Sequence, residues 1–117
     1  MAHDAPLTAA LLASKARAIF GEAEGRAALD ELARLRPGCG PDEVLRIQFA
    51  VLKLCDEDGV DSLVRYLDAA RADYRDVLWW AEYPNEARLG AAERARADLV
   101  RIARVEDRRQ YLAWLAG

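Results

Sequence analysis

Few residues in this sequence are of the types that carry catalysis or bind metals. The chain has one histidine, His3, and two cysteines, Cys39 and Cys55. Nucleophilic catalysis by a Ser–His or Cys–His pair needs an imidazole in a fixed position, whereas we expect residues 1–6 to be frayed. The sequence also lacks an H-E-x-x-H motif, paired Cys–His spacing and a P-loop glycine pattern. We therefore predict a non-enzymatic protein with no catalytic residue, no metal site and no cofactor.

The acidic stretch "LCDEDGVDSLVR" invites comparison with a calcium-binding loop. If Gly59 takes the sixth position of such a loop, Asp56 and Asp58 fall at the third and fifth positions, as required. Leu54 and Arg65 then fall at the first and twelfth positions, where carboxylates are needed. We interpret the stretch as a solvated turn with capping acids, in which Gly59 ends one helix and Asp61 or Ser62 caps the next.

Two pairs of carboxylates have a spacing that general acid–base catalysis could use. They are Asp73 with Asp76, and Asp76 with Glu82. Acid–base work at neutral pH needs a raised pKa, and a raised pKa needs burial. On surface helices such residues are caps and solubilising groups, which is our interpretation here.

The stretch "DYRDVLWWAEYP" contains the residues most suited to binding a partner. A helix turns by about 100° per residue, so Trp79 and Trp80 cannot lie on one line. One apolar face carries Tyr74, Val77, Leu78 and Ala81, and both tryptophans lie off it. A helix that is apolar on two sides must be sandwiched or must offer its second face to a partner. We predict an interaction face made of Trp79, Trp80 and Tyr83, which binds a second copy of the chain as a homodimer or another protein.

Two alternatives remain open for these rings. The C-terminal segment with Tyr111 and Trp114 would fold over Trp79 or Trp80 and bury it. Alternatively, the two indoles would line a small-molecule pocket, since such pockets are mostly apolar.

Arg94, Arg101 and Arg104 share one outer face of a predicted C-terminal helix and form a possible anion-binding or nucleic-acid-binding site. Glu93 and Asp98 flank them, so we favour a salt-bridged face exposed to solvent. The net charge of −3 and the pI near 5.2 give no general attraction to phosphate backbones or anionic lipids. Nucleic acid and membrane surfaces are therefore disfavoured as partners.

The length of 117 residues, of which 53% are hydrophobic, suits one domain, residues 1–117, with one core. The first twenty residues do not have the charge pattern of a signal peptide, and no apolar run is long enough to span a membrane. The two cysteines form no disulfide framework. A reducing cytoplasm is the location that we predict.

Helical periodicity recurs along the chain and strand signals are nearly absent, which predicts an all-α fold: a single compact bundle of about five to seven short helices. Gly21, "RPGCGP", Gly59 and Pro84 separate the early helices, and Asp73 is expected to cap the tryptophan-bearing helix. A buried Glu106 would be costly, so we expect a break at 105–107. Five of the expected helices span residues 8–20, 23–36, 41–56, 74–83 and 91–104. A further helix before Asp73 should bury Leu63, Tyr66, Leu67 and Ala70, and a short last helix should carry Tyr111, Leu112 and Leu115. In the helix over 91–104, the residues expected to face inward are Ala92, Ala95, Leu99, Ile102 and Ala103.

The helix over 41–56 has apolar residues around more than half of its circumference and should lie at the centre of the bundle. Its outward residues are expected to be Arg46, Ala50 and Lys53. Gln48 falls within the apolar arc, so its amide must find a hydrogen-bond partner or sit at the rim of the core.

Overall fold

The computed structural model describes residues 7–117, so the expected frayed segment 1–6, with His3, lies outside the described residues. The described part of the chain contains seven α-helices, one 3₁₀ turn and no strand, which confirms the predicted all-α class. The helices are α1 (Ala9–Phe20), α2 (Glu22–Ala33), α3 (Pro41–Asp58), α4 (Leu63–Glu82), α5 (Pro84–Ala87), α6 (Ala91–Arg94) and α7 (Ala97–Ala116), with the 3₁₀ turn at Val60–Ser62.

Helices α1 and α2 form a tight hairpin. Thr8 caps α1 by accepting the backbone N–H of Leu11 at 3.1 Å, and Gly21 (φ 90°) makes the turn. Gly25 lies where α2 crosses α1: a Cβ added there would be 2.9 Å from the carbonyl oxygen of Ala16. The absent side chain therefore allows the two backbones to approach closely.

Helix α3 is the centre of the core, as predicted, but more of its circumference is buried than expected. Every residue from 49 to 55 is buried, including Ala50 and Lys53, which we had expected to face outward. Lys53 reaches the rim with its aliphatic stem and pairs with Glu57 at 2.8 Å. Gln48 finds its partner at the end of α2, where its amide donates to the carbonyl oxygen of Leu32 at 3.0 Å.

The turn between α3 and α4 differs from the predicted cap. Gly59 (φ 110°) ends α3, but neither Asp61 nor Ser62 caps α4 through its side chain. The chain forms the 3₁₀ turn instead, and the Ser62 hydroxyl donates back to the carbonyl oxygen of Gly59 at 2.5 Å. The hydroxyl therefore closes the turn that precedes α4.

Helix α4 is two helical arms joined at Asp73, which has an extended backbone (φ −159°, ψ 101°). The Asp73 carboxylate accepts the backbone N–H of Arg75 at 3.0 Å, so it caps the second arm as predicted. The ring centroids of Tyr66 and Trp80 lie 6.4 Å apart. In a straight helix their Cα atoms would be about 21 Å apart, so the bend at Asp73 folds the two arms toward each other.

The predicted helix boundaries after α5 were wrong. The expected break at 105–107 is absent, because α7 runs continuously from Ala97 to Ala116. The chain breaks earlier, at Arg96, which has an extended backbone (φ −101°, ψ 107°). Glu106 is only half-buried and pairs with Arg109, while the buried residue is its neighbour Asp107, at 1% exposure.

Asp107 is tolerated in the core because three donors satisfy its carboxylate. They are the backbone N–H of Asn85 at 2.7 Å, its side-chain amide at 2.8 Å and the backbone N–H of Glu86 at 3.1 Å. The carboxylate thereby caps α5 from another helix.

The buried stripe of α7 repeats every four residues: Ala103, Asp107, Tyr111 and Leu115. This phase turns Ile102 outward, so our expectation that Ile102 faces the core was wrong. The same correction applies to Ala92 and Ala95, which are exposed, while Leu99 is half-buried.

Among residues 7–117, no helix has the length and apolar character needed to cross a membrane.

Candidate functional site

The two tryptophans of α4 lie on different sides of its second arm. Trp80 contacts Tyr66 edge to face and remains 40% exposed. Trp79 is half-buried, and its ring centre lies 5.5 Å from that of Tyr83, one turn further along, with the two ring planes tilted by 31°. The structure therefore brings Trp79 and Tyr83 together and places Trp80 beside the first arm, so the three predicted residues do not form one continuous stack.

Trp79 is also covered by an arginine of the short helix α6. The guanidinium carbon of Arg94 lies 5.7 Å from the centre of the Trp79 ring, within the range of a cation–π contact. Arg94 donates to the carbonyl oxygens of Leu89 at 3.0 Å and Ala87 at 3.1 Å. These bonds tie α6 to the end of α5.

The C-terminal aromatic residues lie against other partners. Trp114 donates its indole N–H to Asp56 at 2.8 Å, and the Lys15 ammonium lies 4.6 Å from the centre of its ring. Tyr111 stacks on Trp114 at 6.0 Å. This segment thus joins α7 to α1 and to the end of α3.

The predicted arginine set is brought together although α6 and α7 are separate helices. Arg94, Arg101 and Arg104 line one shallow depression of about 620 Å³. We call it the arginine depression; its lining residues are Arg94, Ala97, Val100, Arg101, Arg104, Val105 and Arg108. No carboxylate is among these described lining residues.

The charges of the depression are compensated to different degrees. Arg104 makes a two-bond pair with the buried Glu86, at 2.7 and 3.2 Å, and these hydrogen bonds raise the pKa of Arg104. Arg94 donates to carbonyl oxygens, which carry no net charge, and it has no ion pair with an acid among the described residues. The depression can therefore attract a negatively charged group.

Two large aliphatic side chains adjoin the arginines. Val105 lines the depression and is 66% exposed, and Ile102, three residues earlier on the same helix, is 62% exposed. Residues three apart are neighbours on a helix surface. The outer face of α7 thus combines exposed apolar area with positive charge. The sequence did not predict this combination, because helical periodicity placed Ile102 in the core.

Asp56, Asp58 and Asp73 each have a hydrogen-bond partner within the fold. Asp56 bonds Trp114, and Asp58 accepts from the hydroxyl of Tyr66. The hydrogen bonds from Arg75 hold the pKa of Asp73 below its usual value, the opposite of what a general acid needs. Within residues 7–117, no group of three or more His, Cys, Asp or Glu side chains is arranged to hold a metal ion.

Comparisons with protein-family models, curated proteins and solved structures find no match for this chain.

Proposed function

We propose that the chain is a non-enzymatic protein-interaction module that binds an acidic, amphipathic segment of another protein on the arginine depression and the adjoining Ile102. The observation that carries the proposal is the pair Ile102 and Val105, each nearly two-thirds exposed beside a lining that contains four arginines and no carboxylate. Apolar side chains of the partner would cover the aliphatic pair, and its carboxylates would meet the guanidinium groups.

An acidic protein suits this surface better than nucleic acid does. The phosphate backbone of a duplex gains little from exposed aliphatic side chains, and affinity for it depends on neutralising many phosphates. The whole chain carries a net charge of −3, so positive charge is local to this surface. A partner with both carboxylates and apolar side chains uses both features.

A synthetic amphipathic peptide with leucines on one face and glutamates on the other tests the proposal. In a fluorescence-anisotropy titration it should bind the wild type, and more weakly as ionic strength rises from about 50 to about 300 mM. Replacing Ile102 and Val105 with serine should raise Kd about tenfold or more, because two buried aliphatic contacts are lost.

Three controls accompany this titration. The double variant Val60→Ser, Val64→Ser removes two other exposed aliphatic residues, 48% and 67% exposed, and should leave Kd unchanged. A lysine version of the peptide should bind much more weakly. Equal binding of both peptides, or an equal loss in both double variants, would contradict the proposal, and tighter binding of duplex DNA would favour the nucleic-acid alternative.

The exposure of Trp80 supports a second candidate, homodimer formation through the aromatic helix. A large indole that is 40% exposed offers contact area at little entropic cost. Light scattering at rising concentration should then show twice the 13.0 kDa monomer mass, and Trp80→Gln should abolish the increase without unfolding the chain. A wild type that stays monomeric at high concentration argues against this candidate.

We also propose a cytoplasmic location. Cys39 and Cys55 are both free thiols, the first half-buried and the second buried. Free thiols suit a reducing compartment.

A further inference from the structure

A second concavity lies on the other side of Arg104 and Arg108, between α7 and the end of α4. This cleft, which we call the Tyr111 cleft, has a volume of about 560 Å³, within the range of small-molecule sites. Arg46 of α3 and Glu82 and Tyr83 of α4 line one part of it. Apolar surface comes from Leu7, Leu112 and Leu115.

The hydroxyl of Tyr111 is the unusual group in this cleft. Tyr111 is 7% exposed, and its buried hydroxyl has no hydrogen-bond partner among residues 7–117. A buried polar group without a partner is destabilising, so an orphaned hydroxyl in a native core calls for an explanation. A ligand that accepts a hydrogen bond from it would supply one.

The neighbours of Tyr111 keep its hydroxyl protonated and therefore able to donate. Burial raises the pKa of Tyr111 above its usual value, and the negative charge of Glu82 adds to that effect. Glu82 itself is fixed by Arg46, whose Nε and Nη2 donate to its two oxygens at 2.8 and 2.6 Å. Because Arg46 and Glu82 bond each other, the ion pair forms a fixed wall of the cleft.

A cationic donor lines the same cleft. Arg104 uses Nε and Nη2 to bind Glu86, which leaves Nη1 without a partner among the described residues. Arg104 and Tyr111 are seven residues apart on α7 and hence lie on one stripe of the helix, and tyrosine side chains lean toward the N-terminus of their helix. Two groups of the cleft, the Tyr111 hydroxyl and Nη1 of Arg104, can thus still donate hydrogen bonds, and an anionic acceptor would match them.

We propose that the Tyr111 cleft binds a small carboxylic acid with a short apolar chain. Its carboxylate accepts a hydrogen bond from the Tyr111 hydroxyl and lies near Arg104, and its chain packs on Leu112 and Leu115. The site is separate from the proposed docking surface, although Arg104 and Arg108 border both.

The test uses hexanoate as the probe, with hexanol and hexylammonium as analogues of equal chain length. In an NMR titration of the full chain, hexanoate should bind saturably and shift the methyl resonances of Leu112 and Leu115. Hexanol should bind more weakly, because it lacks the charge, and hexylammonium should not compete, because the cleft offers donors.

Two buried tyrosines provide matched variants. Tyr111→Phe should raise the Kd for hexanoate about tenfold or more, the usual loss for a hydrogen bond to a charged group. Tyr66→Phe, at 8% exposure in the wild type and outside the cleft, should leave this Kd unchanged. Tyr111→Phe should also leave binding of the glutamate–leucine peptide unchanged, so failure of this proposal and failure of the proposed function are distinguishable.

Three results would overturn the proposal. They are no saturable binding of hexanoate, equal affinity of the wild type and Tyr111→Phe, and hexanol binding as tightly as hexanoate. Intermolecular NOEs from the hexanoate chain to residues outside the cleft would also contradict it, even if the variants fold poorly.

Discussion

Asp107 and Tyr111, the two polar residues of the buried stripe of α7, differ in whether their polar groups have hydrogen-bond partners. Asp107 receives three hydrogen bonds, whereas the Tyr111 hydroxyl has no partner among residues 7–117. A satisfied buried acid stabilises the fold around it, while an unsatisfied hydroxyl weakens it. Asp107 therefore stabilises the packing of α7, whereas we propose that Tyr111 holds a ligand.

The first residue-scale prediction concerns the cost of the orphaned hydroxyl. Tyr111→Phe should raise the unfolding free energy of the ligand-free protein by about 1 kcal/mol, because it removes a buried donor that has no acceptor. Tyr66→Phe should lower it, since the Tyr66 hydroxyl donates to Asp58. Urea unfolding measures both, and a destabilised Tyr111→Phe would show that the hydroxyl has a stabilising partner.

The second prediction is a loss of stability at alkaline pH. In the unfolded chain, Tyr111 ionises above a pH of about 10. Burial and Glu82 raise the pKa of Tyr111 in the folded state, so the folded chain holds more protons and its unfolding free energy falls as pH rises. The fall is at most about 1.4 kcal/mol per pH unit for one group.

Comparison with Tyr111→Phe isolates this effect. Tyr66 and Lys15, whose pKa values are also shifted by burial, titrate in both proteins. The stability gap between the variant and the wild type should therefore widen from about pH 8 to about pH 11. If urea unfolding gives the same difference in unfolding free energy between the two proteins at both pH values, the pKa of Tyr111 is not raised in the folded state.

The third prediction concerns Asp107. Asp107→Ala should lower the unfolding free energy by about 3 kcal/mol, because the N–H groups of Asn85 and Glu86 at the start of α5 lose their acceptor. Glu106→Ala, at the adjacent and half-buried position, should cost far less. Thermal unfolding of the two variants compares them directly, and equal losses would refute a capping role for Asp107.

At the scale of elements, the contact between α1 and α2 depends on one missing side chain. Alanine is normally the better helix former, so Gly25→Ala would stabilise an exposed helix by roughly 1 kcal/mol. Here the added methyl would lie 2.9 Å from the carbonyl oxygen of Ala16, so we expect destabilisation. Gly40→Ala, at the N-cap of α3 and with open space around the added methyl, is the control and should lower the melting temperature less than Gly25→Ala does. A higher melting temperature for Gly25→Ala would mean that the hairpin is less tightly packed.

Local signals made the early elements predictable from sequence. Thr8, Gly21, Pro41 and Gly59 mark helix ends by their own backbone and capping chemistry, and Asp73 marks the bend in α4. Such signals act within a few residues along the chain, so they can be read without a structure.

The phase of α7 and both candidate binding sites depend on contacts that are distant in sequence. Burying Asp107 is acceptable only because Asn85 and Glu86, more than twenty residues earlier, supply donors. That contact turns Ile102 outward and Tyr111 inward, and the Tyr111 cleft also needs Arg46 and Glu82 from two other helices. Periodicity alone placed Ile102 in the core and gave no sign of the cleft.

At the scale of the whole molecule, charge is unevenly distributed along the chain. Residues 91–117 contain six arginines and four acidic residues, whereas the whole chain carries a net charge of −3. The C-terminal part is thus the positive region of an acidic protein. An acidic partner would be repelled by the rest of the surface and oriented toward the arginine depression.

We propose that this protein binds its partner on the arginine depression and the adjoining Ile102. Backbone amide NMR shifts recorded while the glutamate–leucine peptide is added test the claim most directly. We predict that the largest shifts fall on residues 94–108, with the indole N–H of Trp80 unaffected. Shifts centred on Trp79 and Trp80, or no saturable shift at low ionic strength, would contradict it.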